Sequence, residues 1–165
     1  MGVIEQLKQD GAFKGLCQPW QNKLKPGMSV ERMVKLYIRG IDFCISENYP
    51  TLEFIRDNFK GKCEQYDVFV DDEISERINK PDTVLLGNCK AIIKYDGFTV
   101  SRVFIRHKSE AAIIVSENAI VTIDAFDHAN LVVATSGDKC QCIVNLYGKS
   151  QVKAIGSFIK INKMN

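Results

Sequence analysis

The second half of this chain contains no proline, and the whole chain has few of the residues that most often carry catalysis. All four prolines lie at or before position 81, and the 165 residues include two histidines and one tryptophan. A ladder of paired strands excludes proline because its nitrogen cannot donate a hydrogen bond, so this distribution indicates a boundary near Pro81. We therefore predict two domains, residues 1–82 and residues 83–165.

Catalytic and targeting signals are also missing from the sequence. It contains no phosphate-binding loop, dinucleotide-binding fingerprint or nucleophile elbow. No run approaches the roughly 18 apolar residues that a membrane helix requires, and the first ten residues lack the basic-then-apolar layout of a secretory signal. We therefore expect no enzymatic activity, no cofactor and no membrane association, and we expect a cytoplasmic or virion-associated location.

The charge is nearly balanced overall but differs between the two halves. Residues 1–82 hold 12 Lys/Arg against 14 Asp/Glu, and residues 83–165 hold 10 against 6, for a net charge of +2. This mild excess is far from the basic stripe of a nucleic-acid-binding protein, so we do not expect a nucleic-acid partner. The six cysteines show no disulfide-scaffold spacing and fall mostly inside apolar patterns, which predicts reduced core residues.

Seven consecutive segments between Asn88 and Phe158 repeat one pattern of alternating small or branched residues followed by a polar turn. Each segment is about ten residues long, and the fifth is one residue longer than the others. Alternation with a period of two is typical of strands, and repetition at one register is typical of stacked coils. We therefore predict an α+β protein in which a helical domain precedes a short parallel β-solenoid of about seven ten-residue repeats. An antiparallel β-meander with tight hairpin turns is the alternative.

The first half of the sequence carries helical signals. A short helix is expected over 3–9, and Ser29 is a plausible N-cap for a helix that runs to about Ser46. Thr51 follows Pro50 as the cap of a further helix that ends at Gly61. These patterns predict the helical domain.

If each coil uses two repeats, alternate repeats lie on the same face of the solenoid, and the outward positions of that face form rows. One face then exposes two apolar rows, which are Ile92, Ala112 and Val132, and Ile114, Ala134 and Ile155. Contiguous apolar patches on a protein surface normally mark an interface. We therefore expect either the N-terminal helices or a second chain to cover this face.

The opposite face of the predicted solenoid is amphipathic, with basic and aromatic side chains at outward positions. We predict that it meets solvent or a partner, and that it binds a glycan or a small anion if it binds a ligand. The candidate binding residues are Arg102, Phe104, Arg106, Phe126 and Tyr147.

One edge of the stack carries both histidines of the chain. The turn spacing places His107 about one coil away from the neighbouring residues Asp127 and His128. Two imidazoles and a carboxylate are ligands that first-row metals accept, and the same groups could instead act as a catalytic acid–base pair. Chance placement in polar turns is the simpler explanation, so we assign no metal site and keep these three residues as candidates.

The segments 118–125 and 128–134 read NAIVTIDA and HANLVVA. They resemble the ten-residue "N-A-x-V-x-V-x-A" repeats of largely uncharacterised proteins associated with bacteriophage and mobile-element genes of gut bacteria. The resemblance covers about the last half of the chain and implies a β-solenoid. It implies no catalytic residues, and it becomes irregular after Lys139.

These observations favour a non-enzymatic interaction or assembly protein, associated with phage or mobile elements, whose solenoid supplies a surface for self-association as a homo-oligomer or for a protein partner. A binding module for a glycan or small anion on the amphipathic face is the second hypothesis. A metal-dependent enzyme at the edge that carries His107 and His128 is the third.

Overall fold

The protein consists of two compact units in a computed structural model that describes residues 1–164. The first unit spans Met1–Tyr66, and the second begins at Asp67. The first unit is helical and the second is built of strands. This order agrees with the α+β architecture that the sequence predicts.

The helical unit contains five α-helices and one short 3₁₀-helix. Their bounds are Val3–Phe13 (α1), Gln18–Gln21 (α2), Val30–Arg39 (α3), Ile41–Ser46 (α4), Leu52–Asn58 (α5) and Glu64–Tyr66 (3₁₀). Both predicted caps are present, because Ser29 Oγ accepts the Arg32 N–H at 3.3 Å and Thr51 Oγ1 accepts the Phe54 N–H at 3.2 Å. Among residues 1–164, no helix has both the length and the hydrophobicity to cross a membrane.

The single helix expected from Ser29 to about Ser46 is two helices in the structure. The chain bends at Gly40, which ends α3 and begins α4. Glycine is a poor helix former, so a break here costs little. A β-carbon at Gly40 would lie 3.3 Å from the Trp20 ring, so the small residue also allows this ring to approach closely.

The second unit is a two-sheet parallel β-solenoid of eleven strands. The strands are Val68–Val70 (β1), Glu73–Ile78 (β2), Asp82–Leu86 (β3), Lys90–Tyr95 (β4), Val100–Ile105 (β5), Glu110–Ser116 (β6), Ile120–Ala125 (β7), Asn130–Ser136 (β8), Gln141–Leu146 (β9), Gln151–Ile155 (β10) and Ile159–Lys163 (β11). The odd-numbered strands form sheet A in the order β1-β3-β5-β7-β9-β11, and the even-numbered strands form sheet B in the order β10-β8-β6-β4-β2. Every strand pairing in the described part of the chain is parallel, so the solenoid prediction is confirmed and the antiparallel meander is wrong.

The solenoid begins earlier and is longer than the sequence predicts. The units divide between Tyr66 and Asp67 rather than after residue 82. The solenoid has eleven strands, one per repeat, which make about five coils, whereas seven repeats were expected. Pro81 does not end a domain, because it lies in the turn before β3. Its carbonyl accepts the Arg102 N–H at 2.8 Å, so the proline joins the ladder through the one backbone group that it retains.

A left-handed residue at each corner produces the ten-residue period. These residues have φ between 57° and 94°, and they are Gly87, Gly97, His107, Glu117, Asp127, Gly137, Gly148 and Phe158. Glycine adopts this conformation without cost, and aspartate and histidine adopt it more readily than most residues. The eleven-residue spacing from Gly137 to Gly148 accounts for the longer fifth repeat.

The inward positions of both sheets form one continuous core. Ile93, Ile113 and Val133 from sheet B meet Val103 and Ile123 from sheet A, and all five are fully buried. Inward residues are mostly alanine, valine and isoleucine because the two sheets leave space for branched side chains but for few larger ones. The outward positions of the same strands are therefore the surfaces on which function depends.

Candidate functional site

The outward face of sheet B is the candidate interface. Strand pairing places Ile92, Ala112 and Val132 in one row and Ile114, Ala134 and Ile155 in the next, as the sequence predicts. The second row also includes Lys94 and continues to Ile78 on β2. We call the seven apolar residues of these two rows the apolar patch.

The apolar patch is exposed in the single chain. The exposed fractions are 38% for Ile114, 41% for Val132 and 43% for Ile92, whereas the inward neighbours Ile113 and Val133 are fully buried. Ile78 and Ile155, at the two ends of the patch, are 50% and 51% exposed. Single exposed apolar residues are common, but two adjacent rows of branched side chains form a contiguous surface of the kind that marks interaction sites.

Charged side chains border the apolar patch along one side. The adjoining row runs Glu73, Lys90, Glu110, with alternating sign across three neighbouring strands. Lys94 lies within the patch and forms an ion pair with Glu76 at 2.7 Å. An apolar centre with a charged border is the usual anatomy of a protein–protein interface.

Ile78 is the patch residue that the sequence did not reveal. The register of β2 shifts between Ile74 and Arg77, which changes the residues that point outward in the second half of this strand. A bulge of this kind adds a residue to one strand and breaks the strict alternation on which the prediction depended.

Of the five predicted ligand-binding residues, Arg102 and Phe104 lie in β5 of sheet A, and Arg106, Phe126 and Tyr147 directly follow the ends of β5, β7 and β9; the five do not form one exposed surface. Phe104 is 5% exposed and Arg106 is 2% exposed, so two of the five are buried. Arg102 is exposed, and its Nε donates to Asp82 Oδ1 at 2.9 Å. The guanidinium also lies 5.5 Å from the centre of the Phe104 ring.

Phe126 and Tyr147 form the one aromatic stack of this face in residues 1–164. Their ring centroids are 4.6 Å apart with an interplanar angle of 16°, and both side chains are partly exposed. Each ring therefore has one face covered by the other. The accessible part of the predicted glycan- or anion-binding surface is Arg102 with this stacked pair, and ligand binding there stays a prediction.

The histidine edge is organised by hydrogen bonds between successive corners. His107 Nδ1 accepts the Gly87 N–H at 2.9 Å, and Asp127 Oδ2 accepts the His107 N–H at 2.9 Å. Asp127 also lies 3.5 Å from the Nε of Arg106. The corner side chains thus link each coil to the one before it.

Two of the candidate ligand atoms, His107 Nδ1 and Asp127 Oδ2, already accept backbone N–H groups. The Nδ1 lone pair of His107 is taken by a backbone N–H, and His128 is exposed at the next position along the edge. Among residues 1–164, no three His, Cys, Asp or Glu side chains are grouped as metal ligands. The hydrogen bonds of His107 and Asp127 join successive corners along this edge.

Five of the six cysteines are buried, as predicted, and Cys17 is exposed. Cys140 and Cys142 both face the solenoid core. Burial raises the pKa of Cys142 to about 12, so the thiol stays protonated and unreactive at neutral pH. The pair acts as part of the core.

No protein-family model, curated protein or solved structure matches this chain.

Proposed function

We propose that this protein is an assembly protein that self-associates by packing the outer face of sheet B against the same face of a second copy. The observation that carries the proposal is the exposure of the apolar patch in the single chain. Burial of branched side chains is the main source of free energy in protein association. A second chain on this face was one of the two covers that the sequence led us to expect.

At the centre of the patch, on β6 and β8, the pattern of large and small residues is complementary to itself. Consider a two-fold axis that runs along the stack between the two rows of the patch. It places each residue of one row opposite the residue of the other row on the same strand of the partner, two positions away in sequence. Ala112 then faces Ile114 of the second copy, and Val132 faces Ala134. Each alanine of the patch thus receives a branched side chain from the other copy.

The charges at the border agree with the same arrangement. Under this axis the row that contains Lys90 lies opposite the ends of the partner strands, so Lys90 approaches Asp96 of the second copy. Glu110 lies opposite Ser116, which avoids a like-charge pair. A two-fold axis parallel to the strands, centred on β6, would instead bring Glu110 onto its own copy. Like charges directly opposed are unfavourable, so the first arrangement is preferred.

The size of the face predicts a weak dimer. Five strands at a spacing of about 4.8 Å and six residues at about 3.3 Å give roughly 450 Å² per copy, or about 900 Å² in total. Specific interfaces with less than about 1,200 Å² are typical of transient complexes. We therefore expect dissociation constants in the micromolar range or weaker.

Sedimentation velocity of the whole chain from about 1 µM to about 1 mM tests the proposal. We expect a reversible shift from monomer to dimer as concentration rises, with little dependence on salt because the centre of the interface is apolar. A chain that stays monomeric at 1 mM would overturn self-association. Association that disappears at about 0.5 M salt would place it on a charged surface instead.

A further inference from the structure

The helical unit contains a cavity that the proposed function does not use. Its volume is about 280 Å³, and its walls are mostly apolar. Among the residues that line it are Leu7, Trp20, Met33, Leu36, Tyr37 and Phe43. The hydroxyl of Tyr49, which also borders the cavity, donates to the Leu7 carbonyl at 2.7 Å. The cavity therefore offers an apolar surface without a competing polar group at that point.

A basic groove adjoins this cavity. Its lining includes five cationic side chains, which are Lys23, Lys25, Arg32, Lys35 and Arg39. Of these five cations, one has a carboxylate at ion-pair distance within residues 1–164: Lys35 lies 2.6 Å from Glu31. The groove therefore keeps a strong excess of positive charge.

Helix α3 produces both surfaces. Arg32, Lys35 and Arg39 lie at helical spacing on its outer side, and Met33 and Tyr37 on its inner side are buried and line the cavity. Leu36 lies between the two sides and lines both the groove and the cavity. The amphipathic periodicity of one helix thus places positive charge directly beside an apolar hollow.

A direct contact joins the two surfaces a second time. The Lys23 ammonium lies 3.9 Å from the centre of the Trp20 ring, where a cation is attracted to the ring face. Trp20 lines the cavity and Lys23 lines the groove. A ligand with an apolar part in the cavity would therefore bring its adjacent group to the cations.

We propose that the helical unit binds a single-chain anionic amphiphile, with its alkyl chain in the cavity and its carboxylate or phosphate group in the basic groove. A volume of 280 Å³ has room for about nine groups of the size of a water molecule, which is close to the volume of a short alkyl chain. The polar end is anionic because five cations line the groove, whereas Glu31 is the one carboxylate at ion-pair distance from them in the described residues. All the residues that line the cavity and the groove belong to the helical unit, and none belongs to the apolar patch.

Decanoate is a suitable probe because Trp20 is the single tryptophan of the chain and lines the cavity. We expect a saturable change in tryptophan emission when decanoate is titrated below its micellar concentration. Decanol should bind about tenfold more weakly, and decyltrimethylammonium should bind more weakly still, because neither supplies the negative charge. Equal responses to all three amphiphiles, or no response to any, would overturn the proposal.

Two variants test the two halves of the site. Arg32→Gln with Arg39→Gln should raise the half-saturating decanoate concentration about tenfold and leave decanol binding unchanged. The control, Lys14→Gln with Lys62→Gln, removes the same charge from the same unit outside the groove and should change neither. Gly40→Leu should fill the cavity beside Trp20 and reduce binding of both amphiphiles, as measured by calorimetry. Loss of binding in the control, or none in the arginine variant, would contradict the assignment.

A membrane surface is distinguished from a free amphiphile by co-sedimentation with phosphatidylcholine vesicles, with and without phosphatidylserine. We expect no sedimentation with either, because the cavity accepts a single chain. Sedimentation with the anionic vesicles and no decanoate response would overturn the proposal in favour of a lipid surface. Decanoate binding to a variant that no longer self-associates would separate this result from the proposed function.

Discussion

Two isoleucines allow the assembly surface to be tested with a matched control. Ile114 lies in the centre of the apolar patch on sheet B, and Ile120 lies on the outer side of sheet A in the next strand of the chain. Both are 38% exposed. The same substitution at the two positions therefore changes the same amount of exposed apolar surface on opposite faces of the solenoid.

The size of the effect follows from the exposed fraction. Full burial of an isoleucine side chain contributes about 1.5–3 kcal/mol, so burial of the remaining 38% contributes about 0.6–1.1 kcal/mol. A dimer contains the residue twice, so Ile114→Ala should weaken association by about 1–2 kcal/mol, or roughly five- to thirtyfold. Ile114→Asp should weaken it further, because each copy would then place a charged carboxylate beside Lys94 in the middle of the apolar interface.

Sedimentation equilibrium measures the dissociation constant of each variant, and thermal unfolding at low protein concentration confirms that each variant is folded. We expect Ile120→Ala and Ile120→Asp to associate as the unmodified chain does. An Ile114→Asp variant with unchanged association would refute the sheet B interface. Equal losses at both positions would show that the substitutions act through general hydrophobicity rather than through this face.

Two further predictions concern stability. Asp127→Ala should lower the free energy of unfolding by about 2–3 kcal/mol. Alanine adopts the left-handed backbone conformation of this corner less readily than aspartate, and the His107 N–H loses its acceptor. Both variants remove the charge beside Arg106, but Asp127→Asn keeps an acceptor oxygen and tolerates the left-handed conformation, so it should lose less in urea titrations; equal losses would contradict the corner argument. Burial raises the pKa of both Tyr95 and Cys142 to about 12, from ordinary values of 10.0 and 9.0. Between about pH 9 and 12 the unfolded chain therefore releases protons that the folded chain retains, so the urea midpoint should fall as pH rises. A midpoint that is constant to pH 11 would argue against burial of these groups.

The solenoid was predictable from the sequence because its period is fixed by backbone chemistry. Glycine or a polar residue occupies seven of the eight left-handed corners, with Phe158 as the exception, and branched residues alternate between the corners. Gly97, Asp127 and Gly148 show the first feature, and strands such as Ile120–Ala125 show the second. Because each coil takes two repeats, the rows of outward residues followed from the same spacing.

The start of the solenoid was not predictable because its first strands are irregular. The strand β1 has three residues, and β2 contains a register shift and exposes polar side chains such as Glu73 and Glu76. Pro81 supported a boundary after position 81, but it lies in a turn where its missing N–H is not needed. Local irregularity therefore concealed the first three strands.

Burial and hydrogen bonding at the predicted sites also depended on information that the sequence pattern does not carry. Alternation predicted outward positions for Phe104 and Arg106, but an outward position is exposed only if nothing packs on it. The turn spacing brought His107 and Asp127 to one edge, but their contact runs through the backbone N–H of His107. Spacing predicts which residues are neighbours, and the structure is needed to tell which of their atoms meet.

Chemical crosslinking across the apolar patch is the most direct test of the assembly proposal. The two-fold axis places Val132 opposite Ala134 of the second copy, and packed sheets lie about 10 Å apart, which is too far for a disulfide but within reach of a short bis-maleimide. In a Cys17→Ser background, we expect a mixture of the Val132→Cys and Ala134→Cys variants to give a crosslinked dimer, with much less from either variant alone. No crosslinking in the mixture, or as much from Ile120→Cys alone, would contradict the account.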